Sequence, residues 1–272
     1  MKSNLAMRFM TAGVGGPIIL ALLYLGPPWG WFAFLMVASI IGALEFFGMT
    51  HPGDRPSQIA GVALTAAILG VLWRWGTSPP ALLGVMFLLP LAAMLLTLTR
   101  LGDIQTAALR AFAAAFGPLY LGGGLAALAL LRRDAGVDGP PFVVLALMLS
   151  WFSDTGAYFA GRFLGRRKLY EAVSPKKTVA GALGGVTFAA IGALLGSLFY
   201  LRSLPVAHGL ALAVIAGGLG QAGDLGESLL KRSFGVKDSG GIVPGHGGIL
   251  DRVDALLVTA TITYLYVLLV RS

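Results

Sequence analysis

The sequence predicts an all-α, polytopic integral membrane protein of about nine transmembrane helices, and three observations carry that expectation. Of 272 residues, 57% are hydrophobic and only 12% are charged, about half the ~25% charged fraction of a soluble domain. Such a chain cannot coat a water-facing surface. The mean hydropathy of +0.82 points to lipid as the solvent. The apolar residues also come in runs close to the roughly 20 residues that a spanning helix needs. The 39 Gly and 14 Pro, a level that suggests disorder in a polar chain, here punctuate apolar runs, and Gly is common in membrane helices. Cysteine is absent, which excludes disulfide frameworks, thiolate nucleophiles and cysteine-based zinc sites.

Dividing the chain where charges, Pro or turn residues interrupt the runs gives segments near 9–26, 31–49, 59–75, 81–99, 107–131, 141–161, 181–201, 206–230 and 249–270. The first follows Lys2 and Arg8, and with no small-x-small cleavage site before Pro27 and Pro28 it reads as a retained anchor rather than a signal peptide. The third is short, and the fifth and eighth carry internal charge. With the N-terminus inside, only Arg74, Arg132, Arg133, Arg202 and Arg271 of the 20 Lys and Arg fall outside. That is a positive-inside bias, and an odd number of spans puts the C-terminus outside. The net charge of +8 suits anionic lipid or nucleotide; nucleic acid is not an expected partner.

The organisation expected is one integrated membrane domain. Residues 1–140 supply about five N-terminal helices, and 141–272 supply about four catalytic helices with two cytoplasmic motif loops, near 162–180 and 231–249. In the first half Glu45 and Arg110 are the main buried charges, expected to pair with each other rather than to line a substrate groove. Gly122–Gly124 and Gly181–Gly185 read as close helix packing, His51 and His208 as bystanders, and the terminal Trp and Tyr residues as an interfacial belt. No solenoid or inverted repeat is evident.

The chemistry concentrates between Gly223 and Asp254. Asp224, Glu227, Ser228 and Lys231 are spaced i, i+3, i+4, i+7 and share one helix face. A loop rich in Gly and broken by Pro244 follows, and a new helix carries Asp251 and Asp254 at i and i+3. Carboxylates on two helices across a Gly-rich basic loop suit phosphate chemistry. They offer hard oxygen ligands to Mg2+, while Lys231, Arg232, Lys237, His246 and Arg252 can neutralise phosphates beside exposed backbone N–H groups. The plainer alternative is that the acids form interfacial ion pairs with Arg232 and Arg252. The four helix-borne acids Asp224, Glu227, Asp251 and Asp254 with five potential cations inside 32 residues favour function, because intramembrane ionisable groups default to it.

A second cluster runs from Asp154 to Lys177. Asp154, Tyr158 and Arg162 are spaced i, i+4, i+8 at the cytoplasmic end of the sixth segment, followed by the basic run at Arg166, Arg167 and Lys168. Then come Ser174, Lys176, Lys177 and Thr178, which suit a triphosphate or a lipid phosphate at headgroup level. Arg166, Arg167 and Lys168 alone read as positive-inside charge. Asp154, deep in an apolar helix, needs a partner or a metal.

These motifs closely resemble a known family. Ser228-Leu-Leu-Lys231-Arg232, Lys237-Asp238, Pro244-Gly-His246-Gly-Gly and Asp251-Arg252-Val-Asp254 are similar to the signature of the phosphatidate cytidylyltransferases, also called CDP-diacylglycerol synthases. DTGAYFAGR from Asp154 to Arg162 and SPKKT from Ser174 resemble that family's other two blocks. The resemblance covers Asp154 to Asp254; the N-terminal half matches only in hydrophobic character and segment count. Val243 departs from the pattern, which takes a larger aliphatic residue there.

The resemblance implies a magnesium-dependent nucleotidyltransferase of phospholipid biosynthesis in the cell inner (plasma) membrane, with its active site on the cytoplasmic side. It would condense CTP with phosphatidic acid to give CDP-diacylglycerol and pyrophosphate. It further implies a paired metal centre on Asp224, Asp251 and Asp254, with K+ as the second ion, and a homodimer. Lys231 joins those aspartates in the catalytic set, and Arg232, Lys237 and Arg252 go to phosphates. His246 contacts phosphate or positions the loop. Asp154, Tyr158, Ser174, Lys176, Lys177 and Ser228 complete the nucleotide or lipid-phosphate site. A phosphate monoester, with a second pKa of about 6, is already largely ionised, so the missing Ser-His-Asp and Cys nucleophile arrangements are no objection. A cation transporter would explain the acids but not the Gly-rich basic loop. The enzymes that transfer a phosphatidyl group to an alcohol carry a D-G-x-x-A-R block that is absent here.

Overall fold

Helices make up most of the computed structural model, which describes residues 15–76, 78–240 and 248–271. Among the described residues eight helices are long and apolar enough to cross a membrane, and a shorter apolar helix, α1 (Gly15–Leu25), precedes them. The start of the expected first segment, residues 9–14, lies outside the described residues. The polytopic all-α architecture is as the composition predicts. The chain divides into two compact units: the described residues of Met1–Ala129 and Asp238–Arg252, and those of Leu130–Lys237 and Val253–Ser272.

In the first unit α2 (Pro28–Thr50), α3 (Arg55–Trp75), α4 (Pro79–Thr99) and α5 (Ile104–Gly117) begin where short polar side chains or Pro can satisfy or dispense with the first amides. Asp54, Ser78 and Asp103 cap α3, α4 and α5 by accepting from Ser57 N, Ala81 N and Gln105 N. A π-helical turn at Pro118–Gly123 joins α5 to α6 (Gly124–Asp134) without ending the span. α2 packs on α3, and α3 on the π turn. The second contact needs Gly122, where a Cβ would stand 2.7 Å from the Thr65 carbonyl oxygen. The expected Glu45–Arg110 pair does not form. Arg110 donates instead to the carbonyls of Arg100 at 3.0 Å, of Asp103 at 3.1 Å, and of Leu101, closing the turn between α4 and α5.

In the second unit α7 (Gly139–Leu164), α8 (Val179–Leu195) and α9 (Val206–Ser233) pack in sequence, α7 on α8 and α8 on α9. The α7–α8 approach is close because small residues face each other. A Cβ on Gly156 would meet the Gly184 oxygen at 2.5 Å, and one on Gly184 would meet Ala160 Cβ at 2.3 Å. This bears out the packing expected of Gly181–Gly185. The 162–180 segment is not a plain loop. It holds an antiparallel hairpin, β1 (Lys168–Tyr170) and β2 (Ser174–Thr178), with Lys168 opposite Thr178 and Tyr170 opposite Ser174. Thr178 ends β2 and starts α8, its Oγ1 accepting from Gly181 N at 3.1 Å. At 26 and 28 residues, α7 and α9 run to about 40 Å at 1.5 Å per residue, more than the roughly 30 Å hydrocarbon core. Each is therefore long enough to span with tilt or with its end beyond the hydrocarbon. The last helix, α10 (Leu250–Val270), starts in the first unit and continues in the second.

Candidate active site

One end of the second unit holds a small polar cavity of about 200 Å3. α7 brings Asp154 and Tyr158 to it, β2 brings Lys176 and Lys177, and α9 brings Gln221 and Asp224. The hairpin explains how two adjacent lysines reach it. β2 leads straight into α8, and Val179 N donates to Arg167 O at 3.0 Å, which ties the strand to the chain that enters the hairpin. Lys177 Nζ lies 2.6 Å from Asp224 Oδ2, so the lysine expected on substrate phosphate is already paired with an acid expected on metal. Arg162 donates to the Tyr158 hydroxyl at 2.8 Å. Gln221, one helical turn before Asp224, was not singled out in the sequence; its Nε2 donates to Ala182 O at 3.1 Å and ties α9 to α8. A lone Gln in an apolar helix carries no pattern that would have marked it.

One turn beyond Asp224 on α9, the buried Glu227 meets Lys231, Nζ to Oε2 at 2.5 Å. The shared face expected of Asp224, Glu227 and Lys231 is therefore real, but Lys231 is paired with an acid on its own helix. Asp254, on α10, lies within electrostatic reach of Asp224, Glu227 and Asp154, and its Oδ1 accepts from Ala255 N at 2.7 Å. Four carboxylates thus gather at this end of the unit, with lysines on two of them. The plainer expectation of Arg232 as an acid's partner is not met, since Arg232 donates to Val236 O at 3.2 Å.

Asp251 has a different setting, in the first unit. Its Oδ2 accepts from Ser239 N at 3.2 Å, Ser239 Oγ at 3.0 Å and Gly248 N at 3.2 Å. It thereby joins Ser239 to Gly248, on either side of residues 241–247, which lie outside the described ones, His246 among them. Glu45 reaches the same place from α2 and accepts from Leu250 N at 3.0 Å. Lys176, Lys237, Arg232 and Arg252 are exposed, while Ser174 and Ser228 are half-buried.

Whether these acids suit Mg2+ turns on their chemistry and number. The donors are hard carboxylate oxygens, as Mg2+ prefers, and the repulsion that Asp254 meets from Asp224, Glu227 and Asp154 is relieved by a cation. Among the described residues no group of three or more His, Asp or Glu converges as a metal cage. Mg2+ does not require one. It keeps several waters and takes one or two carboxylates plus substrate phosphates, so the residues fit an ion completed by substrate.

The sequence pattern of the cytidylyltransferase family matches residues 6–270. The chain belongs to that family. Among curated relatives it is 38% identical to the phosphatidate cytidylyltransferase of Brucella suis over 97% of this chain and 93% of the relative. It is 33% identical to that of Synechocystis sp. over 96% of both. A shorter match, 44% identical over 48% of this chain and 49% of the relative, joins it to the phosphatidate cytidylyltransferase of Bacillus subtilis. Membership makes the lysines and acids around the cavity those of a cytidylyltransferase, whose nucleotide substrate is a polyanion.

Proposed function

We propose that this cytidylyltransferase is a phosphatidate cytidylyltransferase. The observation that carries this is likeness along nearly the whole length of relatives that bear that name. The polar cavity at one end of apolar helices supports it. One substrate, phosphatidic acid, has acyl chains that stay in the bilayer, whereas CTP is soluble, so their reacting atoms must meet where a membrane protein presents polar groups at its edge.

In the reaction an oxygen of the lipid phosphate forms a bond to the α-phosphorus of CTP. The bond from that phosphorus to the bridging oxygen breaks, and pyrophosphate leaves with the electron pair. The lipid phosphate is already largely ionised at neutral pH, so no strong base is needed. The site must instead hold two polyanions together, align attacker and leaving group, and stabilise the departing charge. We assign the leaving or α-phosphate oxygens to Lys177 and Lys176, which line the cavity, with Lys231, Lys237 and Arg232 as further phosphate contacts; Arg252 takes the same role by family resemblance. Lys177 is held ready by Asp224 and passes to a phosphate when one arrives. The cavity is smaller than the roughly 300–1,000 Å3 of a pocket for a whole drug-sized ligand, so it takes phosphate groups rather than the entire nucleotide.

Asp224 and Asp254 would hold Mg2+, which would supply neutralisation of phosphate charge when bound; Asp251 as a further ligand, K+ as a second ion and a homodimer follow by family resemblance. We place the protein in the inner membrane with its N-terminus and site on the cytoplasmic face, on the strength of the charge bias. Purified protein given CTP, phosphatidic acid and Mg2+ tests the reading by release of pyrophosphate. Ion uptake into vesicles without lipid turnover would replace it with a transporter.

A further inference from the structure

Glu45 is a carboxylate 6% exposed in an otherwise apolar helix, and neither the sequence motifs nor the proposed chemistry uses it. Burying such a charge is costly unless it is paired or hydrogen-bonded, and Arg110, the cation expected beside it, is engaged elsewhere. Its bonds go to Ser239 and to the start of α10. Oε2 accepts from the amide of Leu250, the first residue of α10, at 3.0 Å, and stands 3.5 Å from Ser239 Oγ. That amide is one of the first in its helix, which no intrahelical carbonyl can satisfy and where the helix dipole favours negative charge.

The backbone at Gly240 and at Gly248 is pressed against this carboxylate. A Cβ on Gly240 would lie 2.8 Å from Oε1, and one on Gly248 would lie 2.5 Å from Oε2. Ser239 has a single hydroxyl proton and two acids within range, Asp251 Oδ2 at 3.0 Å and Glu45 Oε2 at 3.5 Å. The serine thus links the two carboxylates.

We propose that Glu45 is a positioning residue that clasps Ser239, Gly248 and the first turn of α10 together, and thereby aims Asp251. It touches no substrate and acts through Leu250 and Ser239. The consequence for turnover rests on the cytidylyl-transfer reading; the clasp itself does not.

Three variants and two readouts test it. Glu45→Ala removes the acceptor, Glu45→Gln keeps an oxygen at full reach without the charge, and Glu45→Asp keeps the charge one methylene short. Hydrogen exchange by mass spectrometry on peptides covering 248–253 reads the Leu250 and Gly248 amides directly. Glu45→Ala should speed exchange there by about tenfold or more, with α3 and α8 unchanged. Its kcat should fall by roughly 10- to 100-fold, the cost of a misplaced reacting group, with KM for CTP within about twofold. Gln should recover most of both and Asp should not. Wild-type exchange in Glu45→Ala, exchange raised equally throughout the protein, or a functional Asp beside a dead Gln would each overturn the proposal. If Glu45→Ala does not fold, the order of Gln and Asp decides. If the wild-type protein forms no CDP-diacylglycerol, the enzymatic reading falls and the exchange data alone judge the clasp.

Discussion

Removing Glu227 or Lys231 singly should damage the protein far more than removing both. The pair is 2.5 Å apart with side chains 2% and 12% exposed, so it sits near the buried limit, where loss of one partner strands a charge at a cost of about 3 kcal/mol. An exposed pair on one helix would be worth only about 0.3–0.5 kcal/mol. Glu227→Gln and Lys231→Met should therefore each cost about 3 kcal/mol, while the double variant, in which neither member of the pair outlasts the other, should cost well under the sum of about 6 kcal/mol. The assay is equilibrium unfolding in mixed detergent and dodecyl sulfate micelles, followed by helical circular dichroism. Additive losses would show that the two groups are not an energetic unit. The double variant also separates structure from chemistry. If Lys231 serves phosphates it folds and turns over poorly, and full activity in that variant would remove Lys231 from the phosphate role.

Gly156→Ala puts a Cβ 2.5 Å from the Gly184 oxygen and 2.6 Å from Phe188. It should cost about 1–3 kcal/mol by overpacking and raise KM for CTP by spreading Asp154 from Lys177; an unchanged melting temperature and KM would refute that reading of the α7–α8 interface. Asp251→Asn keeps one oxygen for the donors of Ser239 and Gly248 but loses the charge, so it should purify folded with nearly all turnover gone. Wild-type rates would take Asp251 out of the chemistry. The Ser57 hydroxyl, with Arg100 alongside, holds the Asp54 carboxyl below the usual carboxylate range. A depressed folded-state pKa contributes stability above the unfolded value that is lost as pH falls through the folded one. Asp54→Asn, which keeps a good N-cap, should abolish that acid-side loss, and the same loss persisting in the variant would contradict it.

The spans were legible because each rests on a local property, a run of apolar residues interrupted by charge or Pro. The glycine contacts of α7 with α8 were legible for the same reason, since small residues clustered in sequence allow backbones to meet. The β1–β2 hairpin was not. Its strands are short and basic, they carry no alternation of apolar and polar residues, and the positive-inside pattern masks them. Spacing on α9 correctly placed Asp224, Glu227 and Lys231 on one face, because helical periodicity is local. That Lys177 meets Asp224, or that Glu45 caps a helix 205 residues away, is set by tertiary packing and leaves no periodic trace. Arg110 shows the converse error. Two lone charges in apolar helices invite pairing, yet a guanidinium with five donors found three backbone carbonyls at a turn instead.

The most direct measurement follows the phosphorus atoms. Purified protein in phosphatidic acid-containing micelles receives Mg2+ and CTP labelled at either the α- or the γ-phosphate. The proposed reaction moves the α label into the lipid phase as CDP-diacylglycerol and releases the γ label as pyrophosphate in equal amount. Both labels staying in water with folded protein, or γ label entering the lipid, would contradict it.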